Sequence, residues 1–272
     1  FRKMSCWLGC QHRRQDIFLN WVSKHTAQNP DFRHLQLGDV GSTNVEALAR
    51  AEQGEASGLW ITADRQLQGR GRRGRVWTSE PGNLYASLLL IDPGDPSRLG
   101  SLPLAVSIAV HDALAAVLPD ASGLNIKWPN DVLIHGAKTS GILLESNILA
   151  DGRRAVVIGC GINVAHHPAD GLYASTCLSE QGATISPQEL FAHLFVSMQA
   201  VLEEWDGGSG IAATRASWLK RATGVGEAIV VRLPDQEIHG LFEGIDAEGR
   251  LILAMSNGKT QTIAAGDVFF PA

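Results

Sequence analysis

The run from Arg65 to Arg75 reads Arg-Gln-Leu-Gln-Gly-Arg-Gly-Arg-Arg-Gly-Arg, five arginines and three glycines, with Trp77 two positions beyond. Guanidinium groups are planar forks that suit phosphate and carboxylate oxygens. Glycine, lacking Cβ, lets backbone N–H groups close on an anion too. The run therefore predicts a clamp for a small phosphate-bearing molecule. A merely solvated charge run has no need of alternating glycines. A nucleic-acid surface would want interleaved aromatics and basic residues elsewhere, whereas 23 Lys and Arg stand here against 28 Asp and Glu, a net charge of -5.

Other segments carry chemistry beside that clamp. Ser42-Thr43-Asn44 offers two hydroxyls, an amide and helix-start N–H groups, which suit either a plain helix cap or a seat for a small neutral polar head. In Lys127-Trp128-Pro129-Asn130-Asp131 the proline fixes the chain direction between two short strands, so Asn130 and Asp131 sit on a tight turn facing a cleft or simply form that turn. Lys138 comes near Asp131, beside Gly141, if those strands pair. A lysine there can neutralise charge developing on a carboxylate or an α-phosphate. Gly159-Cys160-Gly161-Ile162-Asn163 lacks the third glycine and the helix of a dinucleotide motif; Asn163 either reads a base edge or caps a turn. Cys6, Cys10 and His12 lack the second ligand pair of a structural zinc site. With Cys160 and Cys177, the cysteines read as thiols of a reducing compartment.

The elements that must position these residues can be drawn from pattern. A chain of 272 residues, 44% hydrophobic, supports one large and one small domain. Leu102 to Leu118 is interrupted by Pro103, Ser107, His111 and Asp112 and reads as a buried helix, not a membrane span; no secretory leader pattern opens the chain, and a cytoplasmic protein is expected. Within an irregular 1–37, a helix is expected from Gln15 to His25. Asp39-Val40-Gly41 reads as a strand end and glycine turn ahead of a helix start, where Thr43 with Glu46 has capping-box spacing. Strands Leu59 to Ala63 and Leu84 to Ile91 flank the arginine loop. Gly141 to Ile148 and Ala155 to Ile158 form a hairpin around Asp151-Gly152. Ser186-Pro187 with Glu189 opens a helix through Trp205, and another runs from Ile211 to Ala222. After Thr223-Gly224-Val225-Gly226 come five short β runs, Ala228 to Leu233, Ile238 to Ile245, Leu251 to Ala254, Thr260 to Ile263 and Val268 to Phe270. Turn signals at Pro234-Asp235, Glu248-Gly249 and Asn257-Gly258 separate them, which predicts a small barrel. The expected organisation is an N-terminal extension (1–37), a catalytic domain (38–223) and a small β domain (224–272).

Taken together and in this order, the motifs resemble the catalytic core of biotin protein ligases. The matching pieces are Ser42-Thr43-Asn44, Gln66 leading into Gly69-Arg70-Gly71-Arg72-Arg73-Gly74-Arg75-x-Trp77, Lys127 to Asp131, Lys138-x-x-Gly141-Ile142-Leu143 and Gly159-x-Gly161-Ile162-Asn163. The resemblance covers about residues 38 to 270. It implies an α/β (α+β) fold: a catalytic domain like that of class II aminoacyl-tRNA synthetases, with a mixed sheet, followed by an SH3-like barrel. It also implies two chemical steps. Biotin carboxylate attacks the α-phosphate of Mg-ATP to give biotinyl-5′-AMP and pyrophosphate. A lysine of a biotin carboxyl carrier domain, a subunit of acetyl-CoA carboxylase, then takes the biotinyl group and releases AMP.

The same resemblance implies residue roles. Lys138, Arg70 and Asp131 would be catalytic, Asp131 orienting the lysines or holding Mg²⁺. Ser42, Thr43, Asn44, Gln66, Gly69, Arg70, Gly71, Arg72, Lys138 and Gly141 would bind biotin. Arg72, Arg73, Arg75, Trp77, Lys127, Asn130 and Asn163 would surround ATP or the adenylate. The arginine loop is expected to order over the ligand and keep water off the anhydride. Some relatives carry a winged-helix domain and act as repressors; about 40 residues ahead of Ser42 are too few for that module, so no nucleic acid and no membrane are expected as partners. A homodimer through edge strands is compatible with the pattern. A lipoate ligase is the nearest enzymatic rival, and a binding module holding the adenylate as a signal is the rival from another class.

Overall fold

Two sheets account for the two textures of sequence in the computed structural model, which describes residues 32–169 and 173–270. The helix expected over 15–25 and Cys6, Cys10 and His12 lie outside the described residues. Strands β1 (Arg33–Val40), β2 (Leu59–Gln66), β3 (Leu84–Ile91), β4 (Leu124–Lys127), β5 (Asp131–Ile134), β6 (Ala137–Ile148) and β7 (Arg154–Ile162) form a seven-stranded sheet in the order β1-β2-β3-β7-β6-β5-β4. β1 and β2 are parallel and every other pair is antiparallel, so the sheet is mixed as expected.

Helices cover both faces of this sheet. The central strands β2 and β3 therefore read as continuous apolar runs rather than alternating ones. Helix α1 (Thr43–Glu52) lies over Ile61, Leu89 and Val157. On the other face α2 (Leu102–Ala115) and α3 (Pro187–Trp205) pack over Trp60, Leu88 and Ile158. A helix apolar around its whole circumference has to be interior, and α2 is buried along most of its length. The capping box opening α3 forms as read: Ser186 accepts from the Glu189 N–H while the Glu189 carboxylate accepts from the Ser186 N–H. The one expected at Thr43 and Glu46 does not. Ser42 is the N-cap, without a side-chain cap, and the Thr43 hydroxyl turns into the interior instead.

The sheet begins at Arg33, ahead of the boundary expected at 38. The signal was weak because β1 is an edge strand of mixed polarity whose Leu35 and Leu37 alone reach the cluster under α1. One residue of that strand has a consequence for acid stability. His34 lies 2.8 Å from Thr62 Oγ1 and stacks on Phe191, ring centroids 4.4 Å apart. Burial lowers its pKa from 6.5 to about 4. Between those values the unfolded chain binds the proton and the folded one does not, so stability falls as pH drops from 6.5 towards about 4. The contribution is on the order of 2–3 kcal/mol. Denaturant titrations across that range check it: a His34→Gln variant should lose this component, and an unchanged acid slope would refute the assignment.

Helix α4 (Ile211–Leu219) leads to the second sheet, β8 (Ala228–Arg232), β9 (Glu237–Ile245), β10 (Leu251–Ala254), β11 (Thr260–Ile263) and β12 (Asp267–Phe269). Its order is β11-β10-β9-β8-β12, antiparallel throughout, within a residue or two of the expected runs. Gly249 and Gly258 take the left-handed φ values, +80° and +77°, that their turns require. The inner face (Val231, Phe242, Leu251, Leu253) packs with Trp218 of α4 and with Leu104 and Ile108 of α2. Trp128 Nε1 adds a hydrogen bond of 3.1 Å to the Gly249 carbonyl. These contacts bring β12 beside the arginine loop. Among the described residues no helix is long and apolar enough to cross a membrane.

Candidate functional site

The arginine run folds as a tight hairpin bend between β2 and β3. Gly71 N–H donates to the Arg75 carbonyl at 2.8 Å and Trp77 N–H to the Gly69 carbonyl at 2.9 Å. A short 3₁₀ turn, Arg72–Gly74, closes the bend with Arg73 and Gly74 at positive φ, 56° and 72°. A Cβ on Gly69 would press on the Trp77 carbonyl and come within 2.5 Å of Ser79 Oγ. That glycine serves the closure of the bend and does not line the cleft.

Each arginine has a separate destination. Arg70 pairs with Glu145 at 3.1 Å. Arg72 Nη1 donates to Asn130 Oδ1 at 3.0 Å, and burial lowers its pKa. Arg73 and Arg75 converge on Asp267 of β12, at 2.9 and 2.6 Å. Burial raises the Asp267 pKa, but the hydrogen bond and charge of Arg75, with the charges of Arg73 and Arg72, outweigh it and hold the carboxyl low. Arg73 does not reach the cleft wall; Arg70, Arg72 and Arg75 do.

The turn joining β4 to β5 carries a cis Trp128–Pro129 peptide. Asn130 Nδ2 donates to the Ile142 carbonyl, which fixes the amide so that Oδ1 faces Arg72. β5 pairs Asp131 with Gly141, then shifts register between Val132 and Leu133 so that Leu133 faces Lys138. The shift is what a bulge does to a strand. Lys138 Nζ lies 2.7 Å from Asp131 Oδ1 and 5.7 Å from the Trp77 ring centroid. Lys127, only 7% exposed, holds its ammonium 4.1 Å from the Tyr173 ring centroid and 5.6 Å from that of Phe269. Burial lowers its pKa as well.

At the start of α1 the hydroxyls and amide form a network. Thr43 N–H and Oγ1 both donate to Gln66 Oε1, at 2.9 and 3.1 Å, and Gln66 Nε2 donates to Ser79 Oγ. Ser87 Oγ lies 2.7 Å from Thr43 Oγ1 and 2.6 Å from Asn44 Oδ1. Asn44 Nδ2 donates to Glu145 at 2.8 Å. Gly141 and Gly161 lie under the Trp77 ring, and Gly159 under the Asn44 amide. The Gly-x-Gly pair thus makes room for side chains crossing the sheet. Asn163 Nδ2 donates to the Thr176 carbonyl at 3.0 Å, the turn-holding alternative, which leaves Oδ1 for any ligand.

Every site residue named from sequence except Gly69 and Arg73 lines one cleft. Ser79, Ser87, Glu145, Tyr173 and Asp267 were not anticipated. Ser87 had a signal, a small polar residue buried in the apolar strand LYASLLLI, and Glu145 a weaker one, a charge closing the apolar run Ile142–Leu144. Asp267 had none, since it lies 192 residues from its partner Arg75. Among the described residues, the wall cations Arg70, Arg75 and Lys138 have a carboxylate within 4.0 Å, whereas Arg72 and Lys127 do not. The cleft thus joins a neutral, hydrogen-bonding wall to a cationic and aromatic one, with an ordered lysine in the same space. Such a cleft suits two reactants, one with a neutral polar head and one anionic.

Known proteins resemble this chain in sequence and fold. Residues 40–163 match the biotin/lipoate A/B protein ligase family, and residues 224–270 match the biotin protein ligase C-terminal domain. A biotin–[acetyl-CoA-carboxylase] ligase of Paracoccus denitrificans is 41% identical over 86% of this chain and 99% of its own length. The bifunctional ligase/repressor BirA of Bacillus subtilis is 33% identical over 86% of this chain and 73% of its own. The structure of the Aquifex aeolicus biotin protein ligase in complex with biotin and ATP superposes with a TM-score of 0.73 at 27% identity, covering 87% of this chain and 97% of that one.

Proposed function

This chain belongs to the biotin protein ligase family, and from that membership we propose that its cleft joins biotin to one lysine of the carrier domain of a biotin-dependent carboxylase, in two ATP-dependent steps. A carboxylate oxygen of biotin bonds to the α-phosphorus of ATP and pyrophosphate leaves. The ε-amine of the acceptor then bonds to the acyl carbon, gives up a proton, and AMP leaves with the bridging oxygen. The enzyme is a biotin ligase with biotin and ATP as substrates. The observation that carries the residue assignment is one cleft holding the Ser42–Asn44 turn, Lys138 pinned on Asp131, and two cations without a carboxylate partner.

Ser42, Thr43, Asn44 and Gln66 form the seat of the biotin ring. Their donors and acceptors match a cyclic urea, with Gly71 and Gly141 allowing close approach. Lys138 and Arg70 stand between the carboxylate and the α-phosphate, where positive charge is worth most. Arg72 and Lys127 bind phosphate, and Arg75, Trp77, Asn130 and Asn163 surround the adenylate. Arg73 acts indirectly, through Asp267. Among the described residues no cluster of three or more His, Cys, Asp or Glu could hold a metal. Asp131, the carboxylate proposed for Mg²⁺, is engaged with Lys138. This favours Mg²⁺ arriving on the ATP phosphates, with Asp131 chiefly orienting the lysine.

The units proposed are an extension ahead of β1 (1–32), a catalytic domain that takes in all of β1 (33–223) and a small SH3-like domain (224–272). The proposed setting is the cytoplasm, with acetyl-CoA carboxylase as the source of the carrier, no nucleic-acid partner, and a homodimer formed through edge strands of the large sheet. The negative net charge and the arginines' engagement inside a cleft support the absence of a DNA role.

Intact-mass measurement of a carrier domain incubated with protein, ATP, Mg²⁺ and biotin tests the reaction. One biotinyl group should be added, lipoate should add nothing, and an unmodified carrier would refute the reading. An Arg72→Gly variant should lose about a hundredfold in initial rate, the scale of removing one charge contact to the reacting phosphate. Loss confined to a few-fold would remove Arg72 from the chemistry.

A further inference from the structure

Glu145 follows the apolar run Ile142–Leu144 of β6, and its carboxylate joins two parts of the cleft. β6 runs past the end of β5, whose pairing reaches only to Gly141, so Glu145 pairs with β7 alone, opposite Val157. Its side chain is 26% exposed. Oε2 accepts from Asn44 Nδ2 at 2.8 Å and from Arg70 Nη2 at 3.3 Å, and Oε1 lies 3.1 Å from the same Arg70 nitrogen. The two partners come from different segments, the start of α1 and the arginine bend.

A carboxylate accepts hydrogen bonds and donates none, so it dictates which end of an amide faces it. Asn44 must present Nδ2 to Glu145, which leaves Oδ1 towards Ser87. Ser87, fully buried, then spends its single proton within the Thr43–Asn44 pair. Thr43 in turn donates to Gln66, Gln66 to Ser79, and Ser79 to the Trp77 carbonyl. The chain of bonds therefore leaves the arginine bend at Trp77 and returns to it at Arg70. Only Glu145 brings a fixed negative charge to this circuit. At the far end the Thr43 backbone N–H fixes Gln66 Oε1 as an acceptor and the Trp77 carbonyl fixes Ser79 as a donor; at the Asn44 end the direction is set by the Glu145 carboxylate at 2.8 Å, with a longer contact of 3.4 Å to the Leu143 carbonyl.

We propose that Glu145 is a positioning residue for the first half-reaction: its carboxylate sets the direction of the Asn44 amide at the ring seat and, through Arg70, ties that seat to the arginine bend. This rests on the biotin-ligase reading above. It predicts that the two links can be separated. In Glu145→Gln the amide oxygen still accepts from Asn44, while its NH₂ turns towards Arg70 and the ion pair is lost. In Glu145→Ala both links go, and only the long contact of 3.4 Å to the Leu143 carbonyl still holds Asn44 Nδ2 in its direction.

Biotin-dependent ATP–pyrophosphate exchange measures the effect, with melting temperature followed in parallel. The KM for biotin should rise about tenfold or more in Glu145→Ala, the scale of leaving one buried donor without its partner. It should stay within about threefold of the original in Glu145→Gln, because the Asn44 bond survives. The KM for ATP should move less than that for biotin in both variants. An equal rise in both would refute the amide-direction role, since charge rather than acceptance would then matter. An unchanged biotin KM in a folded Glu145→Ala would refute the proposal outright. Should Glu145→Ala not fold, the near-isosteric Glu145→Gln decides alone: a biotin KM raised tenfold refutes the idea, and one within threefold supports it. Absence of biotin-dependent exchange in the unaltered protein would instead count against the ligase reading itself.

Discussion

Replacing Lys138 by alanine should reduce biotin-dependent ATP–pyrophosphate exchange by about 10²–10³-fold, the usual consequence of removing one preorganised group aimed at developing charge. The reacting carboxylate and the triphosphate repel one another, and a cation has to stand between them as the bond to phosphorus forms. Lys138 meets the geometric requirement: its ammonium is held 2.7 Å from Asp131 on the neighbouring strand. A side chain fixed in this way needs little reorganisation when charge appears. Lys138→Arg should recover only part of the rate, because a planar fork does not reproduce a point charge in the same place. The decisive control is preformed biotinyl-AMP. If Lys138 serves the first step, a Lys138→Ala protein given the adenylate should still modify a carrier lysine at a rate near that of the original. Exchange within a few-fold of the original, or transfer from the adenylate as damaged as exchange, would put the lysine's role elsewhere.

The fold was largely legible because its elements announce themselves locally. Continuous apolar runs at 59–63 and 84–91, the Ser186 capping box and the turn glycines of the last fifty or so residues each reflect forces acting over a few positions. Of β1 only the end at Asp39-Val40 was legible, because a half-exposed edge strand with arginine and histidine at its start has a weak alternating pattern. The false capping box has a different cause. Thr43 carries the right side chain for a cap, but its hydroxyl finds Gln66 and Ser87 in the interior and is used there. Local propensity yields to a tertiary hydrogen bond at the position where the site is built.

For the site, residue type and order sufficed for the members that face the cleft, and not for those that hold them. Arg73 illustrates the limit. In sequence it is indistinguishable from Arg72, yet its positive φ turns it out of the wall and onto Asp267. Which arginine meets a ligand is decided by a three-residue turn. What anchors Arg75 is a strand nearly two hundred residues later, while Arg70 and Arg72 are held by Glu145 and Asn130. Gly69 failed for a related reason: it looked like a residue giving a ligand access, and what approaches it is the chain's own Trp77 carbonyl.

Gly159→Ala should raise the biotin KM by about a hundredfold, the loss expected when a bound reactant is displaced on the order of 1 Å. The new Cβ would press on Asn44 Oδ1 and lie 3.0 Å from Cγ and Nδ2 of the same amide. Asn44 has no easy retreat, because Ser87 holds its oxygen at 2.6 Å, Glu145 its nitrogen at 2.8 Å, and its backbone is fixed in α1. Either α1 lifts from the sheet or the amide abandons both partners. Stability should fall by about 1–3 kcal/mol, as for other overpacked interiors. Gly161→Ala provides the contrast. Its Cβ would meet three atoms of the Trp77 ring at 2.6–2.8 Å, an overlap comparable to that at Gly159. Yet Trp77 stands at the end of the bend and can be lifted with it, so the biotin KM should change by less than about tenfold. Measuring both variants separates two explanations of the glycine pair. If tight packing alone matters, the two substitutions should be equally harmful; if the rigidity of what they touch matters, Gly159 should be the more sensitive position by about an order of magnitude.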